Sequence, residues 1–366
     1  MCLFWDMPAL VARAPTRLDF GGGWTDVPPY PTEEGGFVCN LAIARHATVR
    51  LAPSSSGEDD GDLRERALAD AALRIAGLPG VHANVTNDFP LGAGLGGSSA
   101  AGVAMMGAIE GWRAVAASMG VPPQALPAGA ITAHYRHVRD RVPASRTALA
   151  EASRRIEVDE LHIAGGRQDH YAAAYGGALA LEFGERTAVH QLALTHHFIR
   201  ELERRCLVFY TGQSRISGDT ITAVLDAYRA REGRVLRALR GMKRLAVSMA
   251  DAIVAEEMDT LGELVREHWE FQRALHPAIT TPLIDRILDV AMRAGAIGGK
   301  ALGASGGGCV LLVCAHGLEE PVRRAVEALA TPVPFSVDTH GFAWWPEGDP
   351  LPLHAPHASL PPGHPT

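Results

Sequence analysis

The segment at 90–100, PLGAGLGGSSA, constrains the fold more than any other stretch of the chain. A strand-like alternation, VHANVTNDF, runs into it, and an Ala/Met-rich stretch with helical spacing, ending near Gly120, runs out of it. Gly92, Gly94, Gly96 and Gly97 permit the backbone conformations that a tight turn between strand and helix demands. Such a turn leaves backbone N–H groups unpaired at the positive end of a helix dipole, here at Gly96, Gly97 and Ser98, and that combination attracts anions. The hydroxyls of Ser98 and Ser99 can reach a metal or a phosphate from the same turn. The plainer alternative is a tight turn with a serine N-cap.

GAGLGG also satisfies GxGxxG, the dinucleotide fingerprint, but that fingerprint wants an early first strand and an acidic residue about twenty positions on, at the end of a second strand. Here that position falls near the end of the helix, followed by GVPPQALPAG. No GKS or GKT follows the loop, so a Walker-type site is excluded as well.

A chain of 366 residues exceeds the usual size of one core and predicts two closely packed domains. The formal charge of −7 arises without any basic block, which argues against a nucleic-acid partner. No apolar run is long enough to cross a bilayer, and the first residues lack the basic start of a signal peptide, so a cytoplasmic protein is expected. Of 34 basic residues only Lys243 and Lys300 are lysines. The five cysteines, Cys2, Cys39, Cys206, Cys309 and Cys314, contain no CxxC and read as reduced packing residues.

Along the chain, LVARAPTRLDFGG and GGFVCNLAIARHATVRLAP are β-rich runs on either side of a Gly/Pro-rich loop at 21 to 36. Residues 54 to 62 form an acidic loop, and helical spacing of Leu and Ala follows from Leu63 to Ile75. A helical region at 145 to 158 precedes a loop, HIAGGRQDHYAAAYGG; ALALEF, AVHQLAL and the run from Arg205 to Tyr210 read as strands. Helices are expected at about 219 to 258, 260 to 275 and 281 to 294, then a glycine loop, GAIGGKALGASGGG, feeding a strand. Strands and helices mix without strict βαβ alternation, which predicts an α+β fold. The tail from Trp345 is rich in Pro and His and is expected to be disordered, with metal binding by its histidines as the weaker reading. His134 and His137 lack the glutamate and spacing of HExxH and read as ordinary helix residues.

Three segments in order, RAPTRLDFGGGWTD (13 to 26), PLGAGLGGSSA and GGKALGASGGGCVLL (298 to 312), resemble the three motifs of the GHMP kinases. GGGWTDVPPY, GGFVCNLAI, GGRQDHYAAAYGG and FYTGQSRISGDTI further resemble the members that phosphorylate an anomeric hydroxyl, the D-glycero-D-manno-heptose 7-phosphate kinases and the kinase domain of L-fucokinase. Trp24, within an otherwise GGGTD-like loop, and GASGGG in place of GAGGGG depart from that pattern and bear on the identity of the sugar more than on the reaction.

The resemblance implies a two-domain GHMP kinase fold, with an N-terminal domain at 1–185, a C-terminal domain at 186–345, a tail at 346–366, and ATP between the domains. It implies that Asp169 is the general base and that Arg17 stabilises its charge and orients the transferring phosphate. Without the motif, an Asp in a Gly-rich turn reads first as an Asx-turn residue; with it, the base role is the expected one. Ser98 and Glu157 are the implied Mg²⁺ ligands, with Glu151 as a substitute and a Glu157–Arg154 ion pair as the plain alternative. Gly92, Gly94, Leu95, Gly96, Gly97, Ser98 and Ser99, with Gly303, Gly306 and Gly307, would enclose the nucleotide.

Asp26 would accept hydrogen bonds from two sugar hydroxyls, with Thr25, Gly166 and Gln168 beside it. For an acceptor bearing its own phosphate, Arg167, Arg215 and Lys300 are the candidate cations. The expected partners are ATP and a sugar or sugar phosphate, with no nucleic acid, no membrane, and a homodimer as the assembly to test. Two rivals remain: a catalytically silent regulator on the same scaffold, and a decarboxylase or lyase that releases phosphate together with ADP.

Overall fold

The computed structural model describes residues 9–54, 63–127, 129–163, 165–213 and 218–351. The strands are β1 (Leu10–Gly21), β2 (Gly36–Pro53), β3 (Val81–Asn87), β4 (Ala178–Phe183), β5 (Thr187–Leu192), β6 (Cys206–Tyr210), β7 (Ala296–Ala301), β8 (Cys309–Cys314), β9 (Thr331–Pro332) and β10 (Ala343–Pro346).

They form two antiparallel sheets, one ordered β10-β1-β2-β4-β5 with β3 also on β2, the other β7-β8-β6-β9. Strand β2 is long enough to serve two partners along one edge: its first half pairs with β4 and its second with β3. Pro15 has no N–H to offer a central strand, and it sits where the β1–β2 register shifts, between Pro15 and Thr16. A second shift between Asp19 and Gly21 ends the regular ladder where β1 runs into the Gly22 turn.

Helix Gly97–Met119 packs on β1 and β2. Its glycines let bulky side chains lie against its backbone: a Cβ on Gly107 would fall 2.1 Å from the Phe342 ring, and one on Gly111 would fall 3.0 Å from Trp344. The helix stops at Gly120, whose φ of 68° is the left-handed cap that glycine adopts readily.

Helix Gly233–Val254 packs against β1 and β2 on one side and against helix Met258–Leu275 on the other, and the latter packs on β7 and β8. This helix pair fastens the two sheets together. Here Gly298 allows close approach, since a Cβ on it would fall 1.9 Å from the Gly262 carbonyl oxygen.

That contact explains one departure from expectation. AIGGKA is strand β7, wholly inside the protein, rather than the start of a glycine loop, because glycines in a strand also mark a neighbouring backbone. The helices expected across 219 to 258 are Gly218–Arg229 and Gly233–Val254, separated at Arg231, whose φ is 58°.

Sheet membership also bears on the division at 185/186. That division separates β4 from β5, which pair along their full lengths, so the first sheet extends to Leu192. The expected tail likewise begins inside structure: Trp345 and Pro346 belong to β10, paired with β1, and the remainder from 352 lies outside the described residues. Cys39, Cys206, Cys309 and Cys314 are buried and unpaired with one another. Among the described residues no helix is long and apolar enough to cross a membrane.

Candidate active site

Strand β1 delivers Arg17 and Asp19 to one end of the first sheet, two residues apart and therefore on one face. Arg17 Nε donates to Asp169 Oδ1 at 2.7 Å and Nη2 to Asp169 Oδ2 at 2.9 Å, a two-pronged pairing. Its remaining arm, Nη1, donates to the Gly94 carbonyl at 2.6 Å, which ties the carboxylate to the glycine turn. Asp169 lies in the first turn of helix Gln168–Tyr175 rather than in an open loop, so the helix fixes its direction. A Cβ on Gly96 would come within 3.0 Å of that carboxylate.

The two glycine loops interlock backbone to backbone. Gly94 has φ 73°, and a Cβ there would fall 2.7 Å from the Leu302 carbonyl oxygen; one on Gly308 would fall 2.8 Å from that of Ala93. Cys309 N–H donates to the Ala93 carbonyl at 2.7 Å, so strand β8 begins by pairing with the first loop. Ser305, where the family pattern has glycine, adopts φ 68° and accepts a hydrogen bond from Gln272 Nε2 at 2.9 Å.

Between the loops lies a cavity of about 430 Å³. Its lining joins the glycine turn from Gly92 to Ser99, with Ser305 and Gly307, to apolar side chains of Leu68, Phe89, Leu91 and Ile163.

Glu157 is drawn into this cavity by a single wide turn, Ile156–Glu160, that follows helix Arg146–Arg155. Its Oε2 lies 2.9 Å from His170 Nε2 and accepts from Ser99 Oγ at 3.0 Å, and the Ser98 hydroxyl bonds to the same carboxylate. Burial pushes the Glu157 carboxyl up, but the bonds from His170, Ser98 and Ser99 outweigh burial and hold it below its ordinary range. Ser153 Oγ sits 2.9 Å from His170 Nδ1 and fixes the ring from behind.

A charged carboxylate beside a hydroxyl, facing a phosphate-sized turn, is a hard-oxygen set of the kind Mg²⁺ accepts, since that ion usually completes its shell with water and phosphate. Among the described residues no cluster of three or more His, Cys, Asp or Glu could hold a metal alone.

A second cavity of about 220 Å³ adjoins the first, and Asp169, Glu157, Ser99, Gly94 and Gly96 line both. Asp19, Trp24, Asp26, Gly166 and Gln168 line only the second. Asp26 Oδ2 accepts from the Gln168 backbone N–H at 3.0 Å, and a Cβ on Gly166 would collide with the same oxygen at 1.9 Å. Burial pushes the Asp26 carboxyl up to about 6, helped by the charges of Asp169 and Asp19. Trp24 holds φ 80° to turn the chain around this cavity.

The structure thus gathers Asp169, Arg17, Asp26, Gly166, Gln168, Ser98, Ser99, Glu157 and the residues of both loops in one place, with Gly306 behind the second loop, donating to the Ile279 carbonyl. Three expected site residues are elsewhere. The Thr25 hydroxyl is spent on the Gly22 and Phe37 carbonyls, at 2.6 and 3.0 Å, bracing the turn. Lys300 is fully buried in β7 and donates to Asp19 Oδ2 at 3.1 Å, so it cannot meet a substrate phosphate. Arg167 does not line the acceptor cavity, and Arg215 lies outside the described residues.

Glu157 pairs with His170 in place of Arg154, and Glu151 accepts from the Tyr171 hydroxyl at 2.8 Å. Sequence reasoning missed His170, Ser153, Gln272 and His268, whose Nε2 accepts from the Gly22 N–H at 2.9 Å. Only His170, adjacent to Asp169 in GGRQDHY, carried a signal that could have been read.

The family model described as GHMP kinases N terminal domain matches residues 64–119, and that described as GHMP kinases C terminal matches residues 249–331. A D-glycero-alpha-D-manno-heptose 7-phosphate kinase of Campylobacter jejuni is 24% identical over 82% of this chain and 88% of its own length. The bifunctional fucokinase/GDP-fucose pyrophosphorylase of Arabidopsis thaliana is also 24% identical over 82% of this chain, which spans only 29% of that longer protein. Among solved structures, a D-glycero-D-manno-heptose 1-phosphate kinase from Bacteroides thetaiotaomicron superposes with a TM-score of 0.66 at 23% identity, covering 92% of this chain and 98% of that one. With both terminal-domain models matched in order and the three glycine-bearing motifs on one cavity, the chain has the GHMP kinase fold and is a phosphotransferase whose matched relatives include sugar kinases.

Proposed function

We propose that the chain transfers the γ-phosphate of ATP to the anomeric hydroxyl of a sugar. The observation that carries this reading is the position of Asp169, which lines both cavities and is held there by Arg17. The larger cavity suits a nucleotide: its apolar side chains fit a base, and the N–H groups of its glycine turn fit phosphates. It also draws its lining from both sheets' loops, as expected of a nucleotide seated between two domains.

The Asp169 carboxylate accepts the proton of the anomeric hydroxyl, whose oxygen forms the new bond to the γ-phosphorus as the bond to the β-phosphate oxygen breaks. Arg17 keeps that carboxylate aimed. Ser98 and Glu157 would hold Mg²⁺, which when bound neutralises phosphate charge.

D-glycero-D-manno-heptose 7-phosphate, the acceptor first expected, requires a cation remote from the reacting end. Among the described residues the acceptor cavity has one, Arg17, and it is already engaged by Asp169 and Gly94. Arg215, a candidate for that cation, lies outside the described residues, so heptose 7-phosphate stays the first acceptor and L-fucose the second.

The deciding experiment follows ADP release with ATP and Mg²⁺ against heptose 7-phosphate, L-fucose, galactose and mannose, with products examined for an anomeric phosphate. Turnover of heptose 7-phosphate to a product bearing an anomeric phosphate is expected. Preference for an unphosphorylated sugar would move the acceptor to L-fucose, phosphate release without a phosphorylated sugar would mark a lyase, and silence throughout would mark a regulator.

A further inference from the structure

We infer that Asp19 is a sugar-hydroxyl ligand of the acceptor cavity, held in position by the buried Lys300. The inference rests on the sugar-kinase reading above and adds to it a residue that no motif singled out.

Asp19 is only 3% exposed, and its two oxygens have different fates. Oδ2 receives the Lys300 ammonium at 3.1 Å, and Lys300, with no exposed surface, shares its remaining donors with the Phe20 carbonyl at 3.4 Å. Oδ1 has no hydrogen-bond partner among the described residues, although Asp19 lines the cavity of about 220 Å³. A buried carboxylate oxygen without a donor is costly, and the structure contains such an atom where a ligand is expected.

Among the described residues no neighbouring side chain donates a hydrogen bond to it. Arg17 is committed to Asp169 and Gly94, Asp26 and Asp169 are themselves acceptors, and the Gln168 amide, whose Oε1 accepts from Asn40 Nδ2 at 3.5 Å, makes no hydrogen bond to Oδ1. Gly23 also keeps the space clear, because a Cβ there would fall 2.5 Å from Asp19 Oδ2. What meets Oδ1 must therefore bring its own proton and no negative charge, and a sugar hydroxyl does both. Lys300 acts through Asp19: its ammonium anchors one oxygen and leaves the other unpaired at the cavity wall.

The test compares wild type and Asp19→Asn on the sugar that wild type accepts best and on its set of monodeoxy analogues. The expected result is a rise in KM for the sugar of about 10- to 100-fold, the range for a hydrogen bond to a charged group, with KM for ATP unchanged. One monodeoxy analogue should bind both proteins alike, because it lacks the hydroxyl that Asp19 meets.

If Asp19→Asn does not fold, the double variant Asp19→Asn, Lys300→Met removes both buried charges together and supports the same measurement. A sugar KM that stays put, or sugar and ATP constants that rise in parallel, would reduce Asp19 to a structural partner of Lys300 and overturn the inference while leaving the kinase reading intact. A wild type that phosphorylates no sugar would remove the parent reading and this inference with it.

Discussion

Asp169 and Asp26 share a wall of the acceptor cavity but differ in surroundings, and the difference is measurable. Asp169, paired through both oxygens to Arg17, is aimed for proton acceptance. Asp169→Ala should lower kcat by at least about a thousandfold, on the scale of a positioned general base, while ATP affinity stays near wild type. Substantial residual turnover in single-turnover assays would take the base role away from it.

Asp26, raised to about 6 by burial and by the charges nearby, is partly protonated just below neutral pH. A protonated carboxyl has lost acceptor capacity, so KM for the sugar should climb as pH falls through about 6 while KM for ATP holds. The stability effect has the opposite sign. A carboxyl raised on folding contributes stability that is complete below its ordinary value near 4 and is lost as pH rises through about 6. Asp26→Asn should thus be more stable than wild type at pH 8, by up to about 3 kcal/mol in urea unfolding, and bind sugar more weakly. Equal stability of the two proteins at pH 8 would contradict the buried-charge account.

The elements that make the site are turns, and their chemistry was legible because glycine at a positive φ is a backbone requirement. The interlock of Gly94 with Leu302 shows how strict that is. Gly94→Ala would place a methyl against a carbonyl oxygen in a left-handed residue, which alone costs about 1–2 kcal/mol. The expected outcome is a lower Tm together with a raised KM for ATP, since both loops must shift; an unchanged KM for ATP would mean that the loops move independently.

What could not be read was depth. Lys300 drew attention by scarcity, yet a lysine in a glycine-rich run looks the same whether it faces a ligand or sits beneath the cavity floor. Asp19 was passed over for the complementary reason: inside LDF it is one polar residue in a strand, and only a partner 281 positions away reveals its role. His268 and Gln272 lie on a helix whose apolar spacing was plain, but spacing cannot say which buried polar residue will brace a turn.

For the molecule as a whole, the two sheets are easier to infer than their seam. Strand periodicity identified β1, β2 and β4, but nothing local to AWWP announces pairing with β1. Trp344 is nevertheless central there: its ring meets Tyr135 edge-on with centroids 4.9 Å apart, and its carbonyl accepts from the Tyr135 hydroxyl at 2.9 Å. Trp344→Ala should cost about 3–5 kcal/mol in denaturant unfolding, with kcat per folded molecule little altered, because no part of it lines either cavity. A loss below about 1 kcal/mol would show that β10 is dispensable.

The pairing of β10 with β1 also sets a timetable for biogenesis. On the ribosome, β1 and β2 emerge early, but the strand that covers the far edge of β1 is among the last described segments to be made, after the whole of the second sheet. At roughly 5–20 residues per second that edge waits for tens of seconds. An open strand is a template for other chains, so the nascent protein has a long interval in which a chaperone, rather than its own sequence, must occupy the place that Trp344 and its neighbours will later take.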